Sequence, residues 1–171
     1  MIQLVTAKAP PIQQVIECGV IPRFVELMQR DDCPKLQFEA TWALTNIASG
    51  SSEQTAVVVD SGAVQVLILN LVSADEDVRE QCVWALGNIA GDSVQNRNML
   101  LRMGAMSSVL ALERYFNEST RPTFGRVVAW SLSNLCRGKP SPDFYLISPA
   151  IPFLSKLINS IDDETAQDAC W

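Results

Sequence analysis

Apolar residues along this chain recur at the spacing of helices, and too few positions alternate for a sheet to be predicted. The clearest stretch predicts a short helix over 52–60, a turn at Gly62 and a second helix over 63–72. The second helix is apolar nearly all round, as expected for a helix that is buried between neighbours. A third helix is predicted over 76–90, ending at Gly91.

One segment of this pattern occurs three times along the chain. Each copy has a tryptophan, an asparagine four residues later and an exit of small or charged residues. The copies are ATWALTNIASG (40–50), CVWALGNIAGD (82–92) and VAWSLSNLCRG (128–138). With Trp171, the tryptophans follow one another at steps of 42, 46 and 41 residues. A helical repeat of this length is typical of armadillo and HEAT proteins.

A second marker keeps the same period, with Gly19, Gly62, Gly104 and Pro149 in register. The two markers together predict an all-α fold, an armadillo-repeat solenoid with three full three-helix repeats and partial repeats at the ends. Residues 1–10 resemble the tail of an earlier repeat, and the chain stops inside a third helix. The predicted repeats are about 11–50, 51–92 and 93–138, with an incomplete one over 139–171.

Each tryptophan and its asparagine lie one turn apart on the same helix face. The pairs are Trp42/Asn46, Trp84/Asn88 and Trp130/Asn134. An amide can bond a peptide backbone whatever its side chains, and indoles can flank long aliphatic stems that end in a cation. A single pair would more often be core packing. Three in phase predict a surface ladder for an extended Lys/Arg-rich peptide, at about three peptide residues per repeat.

Acceptor groups accompany the second pair. Asp92 lies four residues after Asn88, at the negative end of the helix dipole. Gly50 holds the equivalent position one repeat earlier and leaves carbonyls uncovered, and Thr55 begins the next helix. These three residues predict a pocket for an ammonium group. Gln81 lies on the same helix face as the second tryptophan.

Composition excludes several kinds of function. The 171 residues contain no histidine, so they cannot form a Ser-His or Cys-His dyad or a histidine-containing zinc site. No phosphate-binding glycine motif is present, and we expect no enzyme, catalytic residue, cofactor or metal. The net charge of −6 argues against nucleic acid, and no apolar run is long enough for a membrane span. Five scattered cysteines are interpreted as reduced core residues of an intracellular protein.

Four segments closely resemble the importin-α family: WALTNIASGSSEQT (42–55), WALGNIAGD (84–92), WSLSNLCRGK (130–139) and DACW (168–171). The resemblance implies the major site for nuclear localisation signals, on the concave face of a right-handed superhelix. By the same resemblance the protein would shuttle between cytoplasm and nucleus as an import adaptor. Its partners would be proteins with basic localisation signals, with neither nucleic acid nor membrane involved.

The resemblance also assigns roles to single residues. The three paired tryptophans would line lysine pockets, and their asparagines would clamp the signal's backbone. Gly50, Thr55 and Asp92 match the pocket for the indispensable lysine, while Ser49, Gln81 and Asp168 match lesser contacts.

Three features depart from the family pattern. The third repeat is four residues longer, within 115–126, and Arg137 near the third pocket would oppose a cation. The basic importin-β-binding segment is absent from the sequence. One alternative is an armadillo scaffold of the β-catenin type, which binds acidic partners through rows of Lys and Arg. A helical-repeat enzyme is the other, and it would need a histidine, a metal cluster or a phosphate loop.

Overall fold

The computed structural model describes residues 11–117 and 119–171, and all regular elements in these ranges are helices. Residues 1–10, the predicted tail of an earlier repeat, lie outside the described residues. The chain divides into two compact units, Met1–Ile89 and Ala90–Trp171, with one long helix running across the division.

Within the described part of the first unit, three helices precede the predicted second repeat. They are α1 (Ile12–Glu17), α2 (Ile21–Leu27) and α3 (Pro34–Ala48). The three helices predicted for that repeat follow as α4 (Ser52–Asp60), α5 (Ala63–Asn70) and α6 (Glu76–Asp92).

Local sequence explains where these helices begin. Ser51 forms a capping box with Gln54 at the start of α4. Gly62 has φ +82°, a left-handed conformation that glycine adopts without steric cost and that turns the chain sharply into α5. The carboxylate of Asp75 accepts from the Val78 N–H at the start of α6.

Two helix predictions need correction. The second helix ends at Asn70 rather than at 72, and it is not buried all round, because Leu69 and Val72 have relative exposures of 60% and 61%. The third helix continues through Gly91 to Asp92. Gly91 is not among the glycines with positive φ, so it extends the helix instead of ending it.

The core of the first unit is a row of aliphatic side chains from successive helices. The residues with 0% exposure include Met28, Leu44, Ile47, Leu67 and Leu71. Side-chain amides link the helices across this core, since Gln37 Nε2 and Asn70 Nδ2 both donate to the Met28 carbonyl at 2.8 Å.

The second unit continues from the end of α6 with α7 (Val94–Arg102), α8 (Ala105–Leu110) and a 3₁₀ helix (Ala111–Tyr115). Its last part contains α9 (Pro122–Cys136), α10 (Phe144–Ile147), a 3₁₀ turn (Ser148–Ala150), α11 (Ile151–Leu157) and α12 (Asp163–Cys170). The predicted cysteine role is correct for Cys82, which is buried, and wrong for Cys18 and Cys170, which are exposed.

Two arginines fix the second unit internally. The guanidinium of Arg97, 1% exposed, donates to the carbonyls of Arg137 (2.6 Å) and Pro140 (2.9 Å) and so holds the segment that follows α9. Arg126 on α9 bonds both carboxylate oxygens of Asp162, which caps the start of α12. The Arg126 guanidinium lowers the pKa of the Asp162 carboxyl, and bonds from Thr165 add to this effect.

Candidate peptide-binding site

Two of the predicted Trp/Asn pairs line one cavity in the first unit. The cavity, of about 50 Å³, lies between α3 and α6, and its walls are Trp42, Thr45, Asn46, Ser49, Gln81, Trp84 and Asn88. Sites for metabolite-sized ligands have about 300–1,000 Å³. This cavity is therefore suited to part of a side chain or a turn of peptide backbone.

The indoles of this cavity lie at the surface and not in the core. Trp84 has a relative exposure of 47%. Trp42 is half-buried, and its ring packs against Phe38 with centroids 6.0 Å apart. The surface placement of these two tryptophans agrees with the ladder prediction.

Both asparagines of the cavity are already held by the protein. Asn46 Nδ2 donates to the Trp42 carbonyl in its own helix at 2.9 Å. Asn88 Nδ2 donates to the Thr45 carbonyl of the preceding repeat at 3.2 Å. Each amide nitrogen carries two N–H groups and uses one of them in these bonds, so the amides suit both a peptide carbonyl and a peptide N–H.

Gln81 adds a buried polar group to the cavity wall. The residue is 6% exposed, and its buried Nε2 has no hydrogen-bond partner among the residues that the structure describes. A buried donor without an acceptor costs about 1–3 kcal/mol.

Three predicted site residues, with Ser49 of the cavity wall among them, cluster at the end of α3. The Thr55 hydroxyl donates to the Ala48 carbonyl at 3.1 Å, and Thr55 is 1% exposed. Ser49 and Gly50 are exposed, and the Ser49 hydroxyl donates to the Asn46 carbonyl. The buried Thr55 hydroxyl thus holds the C-terminal end of α3 in place. Its predicted contact with a ligand, in a pocket shared with Gly50 and Asp92, stays a prediction.

The second unit contains the remaining predicted residues. Asp92, the last residue of α6, accepts a hydrogen bond from Asn96 Nδ2 at 2.9 Å. Trp130 on α9 is half-buried. Asp168 on α12 is partly exposed. Desolvation is the main cause that raises the pKa of its carboxyl, and the charge of Glu164 raises it further. The charge of Arg137 acts in the opposite direction.

Asn134 departs from the predicted surface ladder, because it is only 1% exposed. Its amide nitrogen lies 3.1 Å from the point where a Cβ on Gly91 would stand. Arg137 Nη2 lies 3.7 Å from the same point. The third asparagine is therefore packed over the Gly91 backbone beside Arg137. The sequence signals for this packing are the missing side chain at position 91 and the arginine three residues after Asn134.

The described residues offer no other obvious chemistry. No group of three or more Cys, Asp or Glu residues within them could hold a metal ion. No helix in the described part of the chain is both long and apolar enough to cross a membrane.

Comparison with known proteins adds the family. The family model for the armadillo/beta-catenin-like repeat matches residues 8–49 and 51–91. Importin subunit alpha-2 of Arabidopsis thaliana is 52% identical over 96% of this chain. Importin subunit alpha-1b of Oryza sativa is also 52% identical, and importin subunit alpha-3 of Arabidopsis thaliana is 56% identical over 95% of the chain. This chain belongs to the importin-α family. It spans about 30% of the length of these curated relatives.

Solved structures confirm the armadillo-repeat fold of this importin-α chain. An engineered protein with 30% identity covers 98% of the chain with a TM-score of 0.85, and the chain covers 66% of it. A designed armadillo repeat protein in complex with the peptide (KR)4 has 26% identity and a TM-score of 0.86. That match covers 99% of this chain and 69% of the designed protein. The all-α armadillo prediction is confirmed.

Proposed function

We propose that this importin-α chain binds extended Lys/Arg-rich peptides, nuclear localisation signals among them, along its Trp/Asn pairs. The observation that carries the proposal is the cavity between α3 and α6. It combines two surface indoles with two amides held in fixed positions. A peptide crossing it would donate its N–H groups to the asparagine oxygens and accept from the asparagine amides at its carbonyls.

Charge favours a cationic peptide. The chain has a net charge of −6, which attracts cations over a distance. Asp92 ends α6, where a carboxylate is unfavourable because a helix C-terminus is itself negative. A cation beside Asp92 would be attracted both by the carboxylate and by the negative end of α6. The resemblance of Gly50, Thr55 and Asp92 to the family's lysine pocket supports the same ligand.

The named relatives support the wider role. The relatives are importin-α subunits, and one structural neighbour is a designed protein that holds a (KR)4 peptide. We infer that the chain acts as the cargo-binding part of a nuclear import adaptor that moves between cytoplasm and nucleus, without catalysis. Its partners are proteins with basic localisation signals.

A peptide titration tests the proposal. A fluorescent peptide containing KKKRK is titrated with the protein at low and at high salt, beside a matched peptide with alanine for each lysine. We expect only the lysine peptide to bind, with an affinity that falls as salt rises. Equal binding of the two peptides would refute the groove assignment.

A further inference from the structure

A larger cavity lies wholly within the second unit. It has a volume of about 470 Å³, and its described lining includes none of the predicted peptide-binding residues. One wall comes from the longer part of the third repeat, within 115–126, which the repeat pattern leaves unexplained. The other wall comes from α11, the first part of α12 and the residues between them. The longer repeat therefore borders a cavity of ligand size, since ligand sites have about 300–1,000 Å³.

The inner lining of this cavity is aromatic and aliphatic. Phe153 and Leu157 of α11 are buried, and the ring of Phe116 meets that of Phe153 edge to face, with centroids 5.2 Å apart. Phe116 also packs against the buried Phe124 and remains half-buried itself. Ring pairs at such distances stabilise one another, so a further ring beside Phe116 would extend the cluster. The space suffices, because a dry apolar cavity of about 150 Å³ already binds benzene.

The charged groups around the cavity are paired within the protein. Lys156 forms an ion pair with Glu113, and the Asp162 carboxylate accepts from Arg126 and from the Thr165 hydroxyl. Two acidic and two basic residues line the cavity, so its lining has no net charge, whereas the whole chain carries −6. The cavity thus offers apolar surface without excess charge, and it suits an uncharged side chain.

Ile161 continues this apolar surface outside the cavity. It lines the mouth, between α11 and α12, and has a relative exposure of 104%. Burial of a large aliphatic side chain favours association. A molecule confined to the cavity would leave Ile161 in solvent, whereas a peptide chain passing over the mouth would cover it. The occupant that fits is therefore a segment of a partner protein.

We propose that this cavity, between Phe116 and Ile161, docks an uncharged segment of a partner protein. A phenylalanine of the partner enters beside Phe116, and an aliphatic residue next to it covers Ile161. Phenylalanine fits better than tyrosine, because the polar groups of the lining already bond one another and leave a hydroxyl poorly matched. The proposal does not rest on the Trp/Asn pairs, and binding of KKKRK tests those pairs separately.

The probe is the uncharged peptide acetyl-GSFLSG-amide, titrated into isotope-labelled protein and followed by NMR. We expect saturable shifts of the signals of Phe116, Leu157 and Ile161, with no such shift at Leu69, which is an exposed apolar residue of the first unit. The matched peptide acetyl-GSALSG-amide should bind at least about ten-fold more weakly, since it lacks the ring. Acetyl-phenylalanine amide should also bind more weakly, because it does not reach Ile161.

Two isoleucine substitutions give a matched pair. Ile161→Ser should weaken binding of GSFLSG about three- to ten-fold, since it removes the apolar surface at the mouth. Ile158→Ser makes the same change three residues earlier, at the end of α11 and outside the cavity lining, and should leave the affinity near that of wild type.

Several outcomes would overturn the proposal: no saturable shift in the cavity, equal binding of the alanine peptide, or equal affinity of the two isoleucine variants. Acetyl-phenylalanine amide binding as tightly as GSFLSG would make this a small-molecule site instead. The same shifts on raising the protein concentration alone would make a second copy of the chain the occupant.

Discussion

The side-chain amide of Asn88 donates to the main-chain carbonyl of Thr45, 43 residues earlier, at 3.2 Å. Thr45 immediately precedes Asn46, the asparagine of the preceding pair. The same Thr45 carbonyl accepts the helical bond from the Ser49 N–H at 3.0 Å. One predicted peptide-binding amide is thus tied to the backbone that supports the other, and the orientation of Asn88 is set before any ligand arrives.

The bond predicts different stability effects for the two asparagines. Asn88→Ala should lower the free energy of unfolding by about 0.5–1.5 kcal/mol, because it removes a link between two repeats. Asn46→Ala should cost less, since its amide bonds only within its own helix. Both variants should weaken peptide binding. Urea unfolding and peptide titration of the same samples check this, and a stability loss at Asn88 without loss of binding would assign it a purely structural role.

Substitution of Trp84 tests whether its indole lies at the surface or in the core. Because it is 47% exposed, Trp84→Ala should cost well below the roughly 3–5 kcal/mol typical of a buried aromatic, while it weakens peptide binding. Phe124→Ala is the control, since that ring is 1% exposed and should show the full cost. Thermal unfolding measures both. A fall in melting temperature at Trp84 as large as at Phe124 would place the indole in the core and contradict the groove.

Much of this architecture could be predicted because its signals are local and repeated. Helix spacing, the left-handed Gly62 turn and the surface position of Trp84 follow from short-range rules that the chain applies in each repeat. The burial of Asn134 could not be predicted that way. It depends on one contact between helices, in which the missing side chain of Gly91 admits the Asn134 amide. The period of the sequence indicates which residues share a helix face, but the helices packed against that face determine which side chains are buried.

The exposure of Leu69 has a related cause. The sequence places apolar residues all round α5, but a helix packed against neighbours on one side leaves its other face in solvent. Gln81 could be placed on the groove face by phase alone. The lack of a hydrogen-bond partner for its amide nitrogen could not be predicted, because hydrogen bonding of a buried atom depends on every group around it.

The lowered pKa of Asp162 predicts that the stability of the fold depends on pH. Its pKa is lowered in the folded protein by Arg126 first and by Thr165 next. A carboxyl with a lowered folded pKa stabilises the fold above its unfolded pKa of about 3.9, and this contribution is lost as pH falls through the folded pKa. Wild type should therefore lose stability in acid more steeply than Asp162→Asn. Asp163→Asn, one residue along in the first turn of α12, should keep the wild-type slope in urea unfolding at stepped pH. Parallel slopes for wild type and Asp162→Asn would contradict the assignment.

The sharpest prediction concerns the two acids near the ends of α6. Asp77 lies in the first turn and Asp92 is the last residue, so Asp77→Lys and Asp92→Lys make the same charge change at opposite ends of one helix. The helix dipole predicts opposite effects on helix stability, of about 0.3–1 kcal/mol each. For α6 alone, lysine is unfavourable at the positive start and favourable at the negative end, and the positive start of α7 just after Asp92 reduces the gain there. Loss of the Asn96 bond offsets part of the gain at Asp92.

Peptide binding should depend far more on Asp92 than on Asp77. If Asp92 accepts a peptide ammonium, charge-assisted bonds worth about 1.5–3 kcal/mol are lost and repulsion is added, so Asp92→Lys should abolish binding of KKKRK. Asp77→Lys should change the affinity only slightly, and less at high salt. Titrating both variants at one ionic strength, with their melting temperatures, separates a specific pocket from diffuse acidic attraction. Equal loss of affinity in both variants would contradict the pocket and leave only diffuse attraction. A specific pocket depends on where a charge lies, whereas long-range attraction depends on the net charge.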